Sequence, residues 1–274
     1  LYLVATPLGS ARDITLRARD VLCSCDALAA EDTRSMRKLL NIHNIPLKDR
    51  PILSYNDFNG DRVRPTIMNW LNSNMAVAYA SDAGMPLIAD PGYQLSKQAA
   101  EAGFYVTAVP GASACITALS LSGLPTDRFF FEGFLPVSKE KRRQKLKELS
   151  SIPSTLIFYE SPKRLIKMFE DLIAIMGENR RVVIARELTK KFEQIISGTL
   201  GELHALILKK PLKGELVVLL DRPLTTGLQD LDVKAELRIA LSEMTLKDAS
   251  DFVASAHGLS KRYVYNLALS MREN

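Results

Sequence analysis

Ser81-Asp82-Ala83-Gly84-Met85-Pro86-Leu87-Ile88-Ala89-Asp90-Pro91-Gly92 is the stretch on which the fold turns. It follows an apolar run, Met75–Ala80, that reads as a buried strand. Two Gly, two Pro and two Asp fall between Asp82 and Gly92. Gly lets backbone amides approach a ligand because no side chain intervenes, and Pro holds the turn stiff. Asp90-Pro91 reads as a helix start, with Asp as cap and Pro in the first turn. The loop is expected to form the floor of a ligand cleft; a tight structural turn is the competing reading.

Outward from this loop the first half alternates strands and helical patterns. Leu1–Ala5 predicts a strand ending in Thr6-Pro7-Leu8-Gly9, and Asp26–Ala30 one ending in Glu31-Asp32-Thr33-Arg34. Pro51–Tyr55 reads as a short strand, and Phe104–Val109 as one ending in Pro110-Gly111-Ala112-Ser113. Helices are expected over 15–25 with Thr15 as cap, 33–41, 62–72, 92–102 and up to Ser122 with Ser113 as cap. This order predicts a mostly parallel sheet with helices on both faces and a ligand beyond the carboxyl ends of the strands. No two Gly are separated by one residue, so G-x-G-x-x-G is absent, and so is the P-loop pattern. That argues against an ordinary dehydrogenase, a glycine-rich methyltransferase and an NTPase together.

Near Leu124-Pro125 the character shifts. Phe129–Phe134 is an aromatic strand, and Lys139–Lys147 holds six basic residues and one acidic. Strands follow over 155–159, 182–186 and 216–220, with 193–197 pairing back on 182–188, and a helix leads from Ser161-Pro162 into 165–176. Residues 222–231 read as a linker, and the last part as three helices, 233–243, 246–256 and 260–272. The expected division is 1–123 (N-terminal α/β domain), 124–222 (C-terminal α/β domain) and 232–274 (a helix-turn-helix-like extension). The fold class is therefore α/β, in two domains with a cleft between them and a small helical extension.

The 274 residues carry a net charge of +5, with 47% apolar and 24% charged residues, the profile of a globular protein whose basic balance favours, without proving, an anionic partner. Cys23, Cys25 and Cys115 read as free thiols in a reducing compartment, and no Cys/His cluster has metal spacing. Residues 102–126 are uncharged, but Pro110-Gly111 splits them, so no bilayer span is expected. The chain opens on Leu1 and not Met, so a few residues are expected to precede it.

Read together, the motifs resemble a known family. They are Leu3–Gly9, Asp13–Ala18, Ala30–Arg34, the central loop, Pro110-Gly111-Ala112-Ser113-Ala114, Gly133–Pro136, Tyr159–Pro162 and Arg186–Lys190. Over residues 1 to about 221 the pattern is similar to that of the ribosomal RNA small subunit methyltransferase I family, in the tetrapyrrole-methylase superfamily (class III methyltransferases). The resemblance implies a two-domain fold binding S-adenosylmethionine between the domains, and a homodimer in the bacterial cytoplasm. It also implies 2'-O-methylation of a cytidine in the decoding region of 16S ribosomal RNA, as an enzyme with no metal and no membrane segment. Ser10, Met85 and Lys163 depart from the Asn, Thr and His usual in the family, and Asn56–Asp61 lacks its Asn-Glu pair.

The cofactor's contacts are assigned to Pro7, Gly9, Asp82, Ala83, Gly84, Ile88, Ser113 and Ala114, with Asp90 given to capping. A ribose hydroxyl needs its proton removed, and no His lies in a motif. The candidates are Glu31, Asp32, Glu160, Glu187 and Lys190, with none singled out. Arg34, Lys141, Arg142, Arg143, Arg186 and Lys190 are the candidate RNA contacts, against a reading of the basic run as a solvated helix face. Two other functions stay open: a carbon methyltransferase for corrin or porphyrin precursors, and a non-catalytic ribosome-assembly factor.

Overall fold

The computed structural model describes residues 1–223, 227–257 and 259–271. Leu1–Arg222 form one compact unit and Pro223–Asn274 another. The larger unit contains two sheets of five strands.

The first sheet is built from β1 (Tyr2–Val4), β2 (Ala27–Ala30), β3 (Ile52–Ser54), β4 (Val77–Ala80) and β5 (Thr107–Val109). Between and after them come α1 (Leu16–Ser24), α2 (Thr33–Ile42), α3 (Gly60–Asn72), α4 (Tyr93–Glu101) and α5 (Ala114–Ser122). The strand order is β3-β2-β4-β1-β5 and every pair is parallel. Alternate residues face opposite sides, so each strand feeds two cores. Ala27, Ala29 and Tyr79 pack with Ile67 and Leu95 on one face; Leu28, Ala78 and Ala80 pack with Leu22 and Leu40 on the other. Thr15 caps α1 by accepting the Ala18 N–H at 3.0 Å.

The second sheet holds β6 (Phe129–Phe134), β7 (Thr155–Glu160), β8 (Arg181–Arg186), β9 (Gln194–Thr199) and β10 (Leu216–Leu220), with α6 (Lys139–Leu149), α7 (Pro162–Met176) and α8 (Leu200–Lys209). Its order is β6-β7-β10-β8-β9; β6 and β7 are parallel and the other pairs antiparallel. Phe158, Phe169, Leu172 and Val218 anchor its core. The smaller unit contains α9 (Gly227–Glu243), α10 (Leu246–His257) and α11 (Lys261–Ser270), closed around Leu237, Val253 and Val264. No helix among the described residues is long and apolar enough to cross a membrane.

Several expectations need correction. Asp90-Pro91 does not start a helix: α4 begins at Tyr93, and Gly92 holds the N-cap position with φ 119°. A side chain there would meet the Tyr79 ring at 2.4 Å, so the loop must close with glycine. Ser113 stands at the N-cap of α5, but its hydroxyl makes no capping bond and lies 3.2 Å from the Cys115 sulfur. The linker expected over 222–231 is helical from Gly227 onward, and its residues 224–226 lie outside the described ones. Helix α8 is an addition to the expected elements, although Thr199 and Glu202 form a capping box at its start.

The basic run does form a helix, α6, but not one solvated throughout. Arg142 is 5% exposed, donates from Nε to Asp171 at 2.9 Å and from a terminal nitrogen to the Val137 carbonyl at 3.0 Å. It is a strut between α6 and α7 and not an RNA contact. Removing one partner of a buried ion pair strands the other charge, at a cost of about 3 kcal/mol or more. Arg142→Ala is therefore expected to lower urea stability by about 3 kcal/mol, while Lys141→Ala, which is exposed, stays within about 0.5 kcal/mol of wild type.

Candidate functional site

The parallel sheet delivers the loops after β1, β2, β4 and β5 to one edge. Two of them are stitched together: the Thr6 N–H donates to the Gly84 carbonyl at 2.9 Å, and the Gly84 N–H donates back to Thr6 at 3.0 Å. Gly84 adopts φ +82°, and a Cβ there would meet the Leu8 side chain at 3.3 Å and the Ala112 carbonyl at 3.6 Å. Gly111 is pressed on Ala5, where a Cβ would lie 2.8 Å from the Ala5 methyl. Three strand-end turns thus meet at a single place, as the strand-end glycines suggested. Gly9 serves differently, packing on Thr189 and Lys190 after β8, where a Cβ would collide with the Lys190 side chain at 2.3 Å.

Behind these turns lies a cleft of about 410 Å³, within the range of small-molecule sites. Asp82, Ala83, Gly84, Ile88 and Asp90 of the central loop line it, with Glu31, Ser113 and Ala114. The second sheet supplies Phe134, Tyr159 and Glu160, and the loop after β8 supplies Leu188. The Tyr159 hydroxyl accepts the Cys115 N–H at 3.1 Å, joining β7 to the start of α5. A second hollow of about 250 Å³ shares Leu8 and Asp82 with the cleft and is lined by Pro7, Gly9, Asp32, Ser35 and Lys38.

Four of the seven non-glycine residues with positive φ among the described residues flank the lining residues Ile88 and Leu188. Leu87 and Ala89 have φ 72° and 59°, and Glu187 and Thr189 have φ 51° and 61°. Non-glycine residues rarely adopt such angles, and such strain tends to collect around ligand sites. Tyr79 stiffens the central loop from below by donating its hydroxyl to the Pro91 carbonyl at 2.8 Å.

The candidate proton acceptors separate by environment. Asp32 caps α2 and pairs with Arg34, whose guanidinium holds its carboxyl at about 2. Glu187 is held low by hydrogen bonds from the Glu215 N–H and Lys190. Glu31 and Glu160 behave oppositely: burial raises both. Glu31 accepts the Asp82 N–H at 3.2 Å. Glu160 uses Oε1 for the Ser161 N–H and Arg164, and leaves Oε2 buried without a partner. Asp90, assigned to capping by its sequence, lies in the cleft and is pushed up to about 6 by burial, with Glu31, Asp82 and Asp57 adding negative charge. Its place before Pro91 hid that role, and only the folded loop reveals it.

The candidate cations scatter. Arg186 donates to the Lys213 and Phe192 carbonyls, and Lys190 pairs with Glu187 and Glu215 at 3.2 and 2.9 Å. Arg34 projects into solvent beside the second hollow and Lys141 is exposed, whereas Arg143 is half-buried and also leans on Asp171, its Nε 3.7 Å away. No group of three or more His, Cys, Asp or Glu among the described residues can hold a metal ion. The cleft does suit a nucleoside sulfonium. Apolar Leu8, Ile88 and Phe134 can cover a flat ring, open backbone at Gly84 can approach it, and carboxylates can meet hydroxyl and cationic groups.

Comparison with known proteins agrees with this geometry. Residues 1–204 match the model of the Tetrapyrrole (Corrin/Porphyrin) Methylases, and residues 228–272 that of the RsmI C-terminal HTH domain. A protein of Vibrio cholerae named ribosomal RNA small subunit methyltransferase I is 44% identical over 98% of this chain and 94% of its own. One of the same name from Escherichia coli O157:H7 is 42% identical over 99% of this chain and 95% of its own. In structure, the chain resembles cobalt precorrin-4 methyltransferase (TM-score 0.61, 16% identity, covering 80% of this chain and 93% of that one). Diphthine synthase is equally similar (TM-score 0.61, 17% identity, covering 81% and 90%), and these two likenesses speak to the fold alone. The match over three quarters of the chain and the near full-length relatives lead to one conclusion: the chain belongs to the tetrapyrrole methylase family, among the ribosomal RNA small subunit methyltransferase I proteins.

Proposed function

We propose that this S-adenosylmethionine-dependent ribosomal RNA methyltransferase places its methyl on the 2'-hydroxyl of a cytidine in the decoding region of the small subunit. The observation that carries the reading is the cleft, where loops of a parallel sheet face Tyr159 and Glu160 across an apolar floor. Bound there, the cofactor supplies an activated methyl group. Asp82, Ala83, Gly84, Ile88, Ser113 and Ala114 hold it, and Pro7 and Gly9 shape the adjoining hollow. That hollow, with Lys38 in its wall and Arg34 beside it, receives the acceptor nucleotide.

The chain must orient a sugar hydroxyl and take its proton. Glu31 is the best placed of the carboxylates: burial raises its affinity for a proton, and it stands next to Asp82, a residue common to both spaces. Asp32 and Glu187 are held too acidic to serve. Glu160 keeps its free oxygen fully enclosed and acts as a wall. Outside, Lys141, Arg143 and Arg34 meet phosphate, and the helical unit with Lys261 and Arg262 makes RNA contacts of its own. The same reading carries a homodimer in the bacterial cytoplasm; the exposed side chains of Phe129, Phe130 and Phe192 offer apolar area for pairing.

The decisive experiment supplies labelled cofactor to small ribosomal subunits and maps the product. Label is expected on one cytidine ribose, and the phosphodiester after it resists alkali because its 2'-oxygen is blocked. Label only in a corrin or porphyrin precursor would replace this reading with carbon methylation. Glu31→Gln is expected to cut kcat by a factor of about a hundred or more with little change in KM, since a proton acceptor contributes roughly that much. Lys141→Glu is expected to weaken RNA binding. Its salt slope should flatten by about 0.7–0.9 for each phosphate no longer neutralised, read by titration at several salt concentrations.

A further inference from the structure

Five carboxylates line the cleft, those of Glu31, Asp82, Asp90, Glu160 and Glu215, and among the described residues no Lys, Arg or His does. The chain as a whole is basic, at +5, so this lining opposes the overall charge. Glu160 is paired with Arg164 at 3.2 Å and Glu215 with Lys190 at 2.9 Å. Among the described residues no ion pair reaches Glu31, Asp82 or Asp90. Glu160 is 3% exposed and tied to Ser161 and Arg164, so it bounds the cleft as a buried wall. Unpaired carboxylates gathered in one cleft match a ligand that carries positive charge.

We infer that this lining reads the charge of the cofactor, favouring the sulfonium of S-adenosylmethionine over the neutral thioether left after transfer. The inference rests on the cleft being the cofactor site. Charge balance gives it a purpose. Methyl transfer breaks the sulfur–methyl bond, forms an oxygen–methyl bond and leaves an uncharged sulfur, while the positive charge passes as the acceptor's proton to Glu31 and from there to solvent. The carboxylates then lose their counterion, and the spent product is held less tightly than fresh cofactor.

Titration of the lining supplies the test. Asp90 faces Glu31, Asp82 and Asp57 on its own side, Tyr79 beneath, and Tyr159 across the gap. Asp32 adds to the field at Glu31. The charges that oppose it are Arg34 toward Asp82, Arg164 and Arg142 toward Glu160, and Lys190 at Glu215. With Asp90 near 6, acidification through that value neutralises part of the lining. A cation in the cleft favours the ionised form, so its binding expels a proton, whereas a neutral sulfur does not.

Calorimetry on the purified full chain compares S-adenosylmethionine, sinefungin (which carries an amine cation in place of the sulfonium) and S-adenosylhomocysteine. Between about pH 7 and about pH 5 the two cations are expected to lose about tenfold in affinity relative to S-adenosylhomocysteine, one pKa unit being a factor of ten. Buffers of different ionisation enthalpy are expected to show proton release for the cations alone. Asp90→Asn is expected to reproduce the tenfold loss of preference at neutral pH. Because ionised Asp90 is disfavoured in the fold, that variant should melt no lower than wild type at neutral pH. Should it melt lower, the wild-type pH series decides alone. Equal losses for all three ligands, or a preference unchanged by pH, would overturn the inference while leaving the cofactor site intact. No binding of any of them would overturn the cofactor site itself.

Discussion

The reciprocal pair of backbone hydrogen bonds between Thr6 and Gly84 is the constraint from which the site follows. β1 and β4 are neighbours in the sheet, and beyond their ends two chains would ordinarily diverge. The bridge keeps them together for one more step, which forces Gly84 to a positive φ and exposes its backbone. Once that step is made, the remaining loops have little freedom. Gly111 must lie on Ala5, Leu8 must cover Gly84, and the central loop must return over Tyr79 to the start of α4. Each close approach depends on a missing side chain, so the site is held by backbone geometry more than by side-chain chemistry.

The second sheet completes the space in another way. It brings a hydroxyl, Tyr159, to the first turn of α5, and a loop after β8 to Gly9 through Thr189, whose hydroxyl accepts the Ser10 N–H at 3.1 Å. Both contacts join residues far apart in sequence and both sit beside the cleft. The walls of the site are therefore also the joints of the larger unit. A ligand held between them bears on the same elements that hold the two sheets together.

Much of this was legible in the chain. Strands β1, β2, β4 and β5 end in glycine, proline or acidic turns, and their apolar runs could be read without coordinates because a parallel sheet is buried on both faces. The convergence of Gly84 and Gly111 followed from that topology. Charge was the poorer guide. Arg142 sits between Lys141 and Arg143 in sequence, yet helical rotation turns it inward to Asp171 of α7, a residue no local pattern connects to it. Asp90 looked like a cap because Pro91 follows it, but the left-handed turn at Gly92 moved the helix start past both. Helix α8 had its signal in Thr199 and Glu202, and its apolar residues were masked by the strand that runs directly into it.

Leu87 and Ala89 hold their torsions where glycine would rest at ease. Glycine at either place would relieve local tension, but it would also let an empty loop wander through many more shapes. A visiting molecule would then have to freeze that wandering before it could be gripped. The bulkier residues have already narrowed the choices, so the tension kept in the resting loop is recovered as readiness to receive.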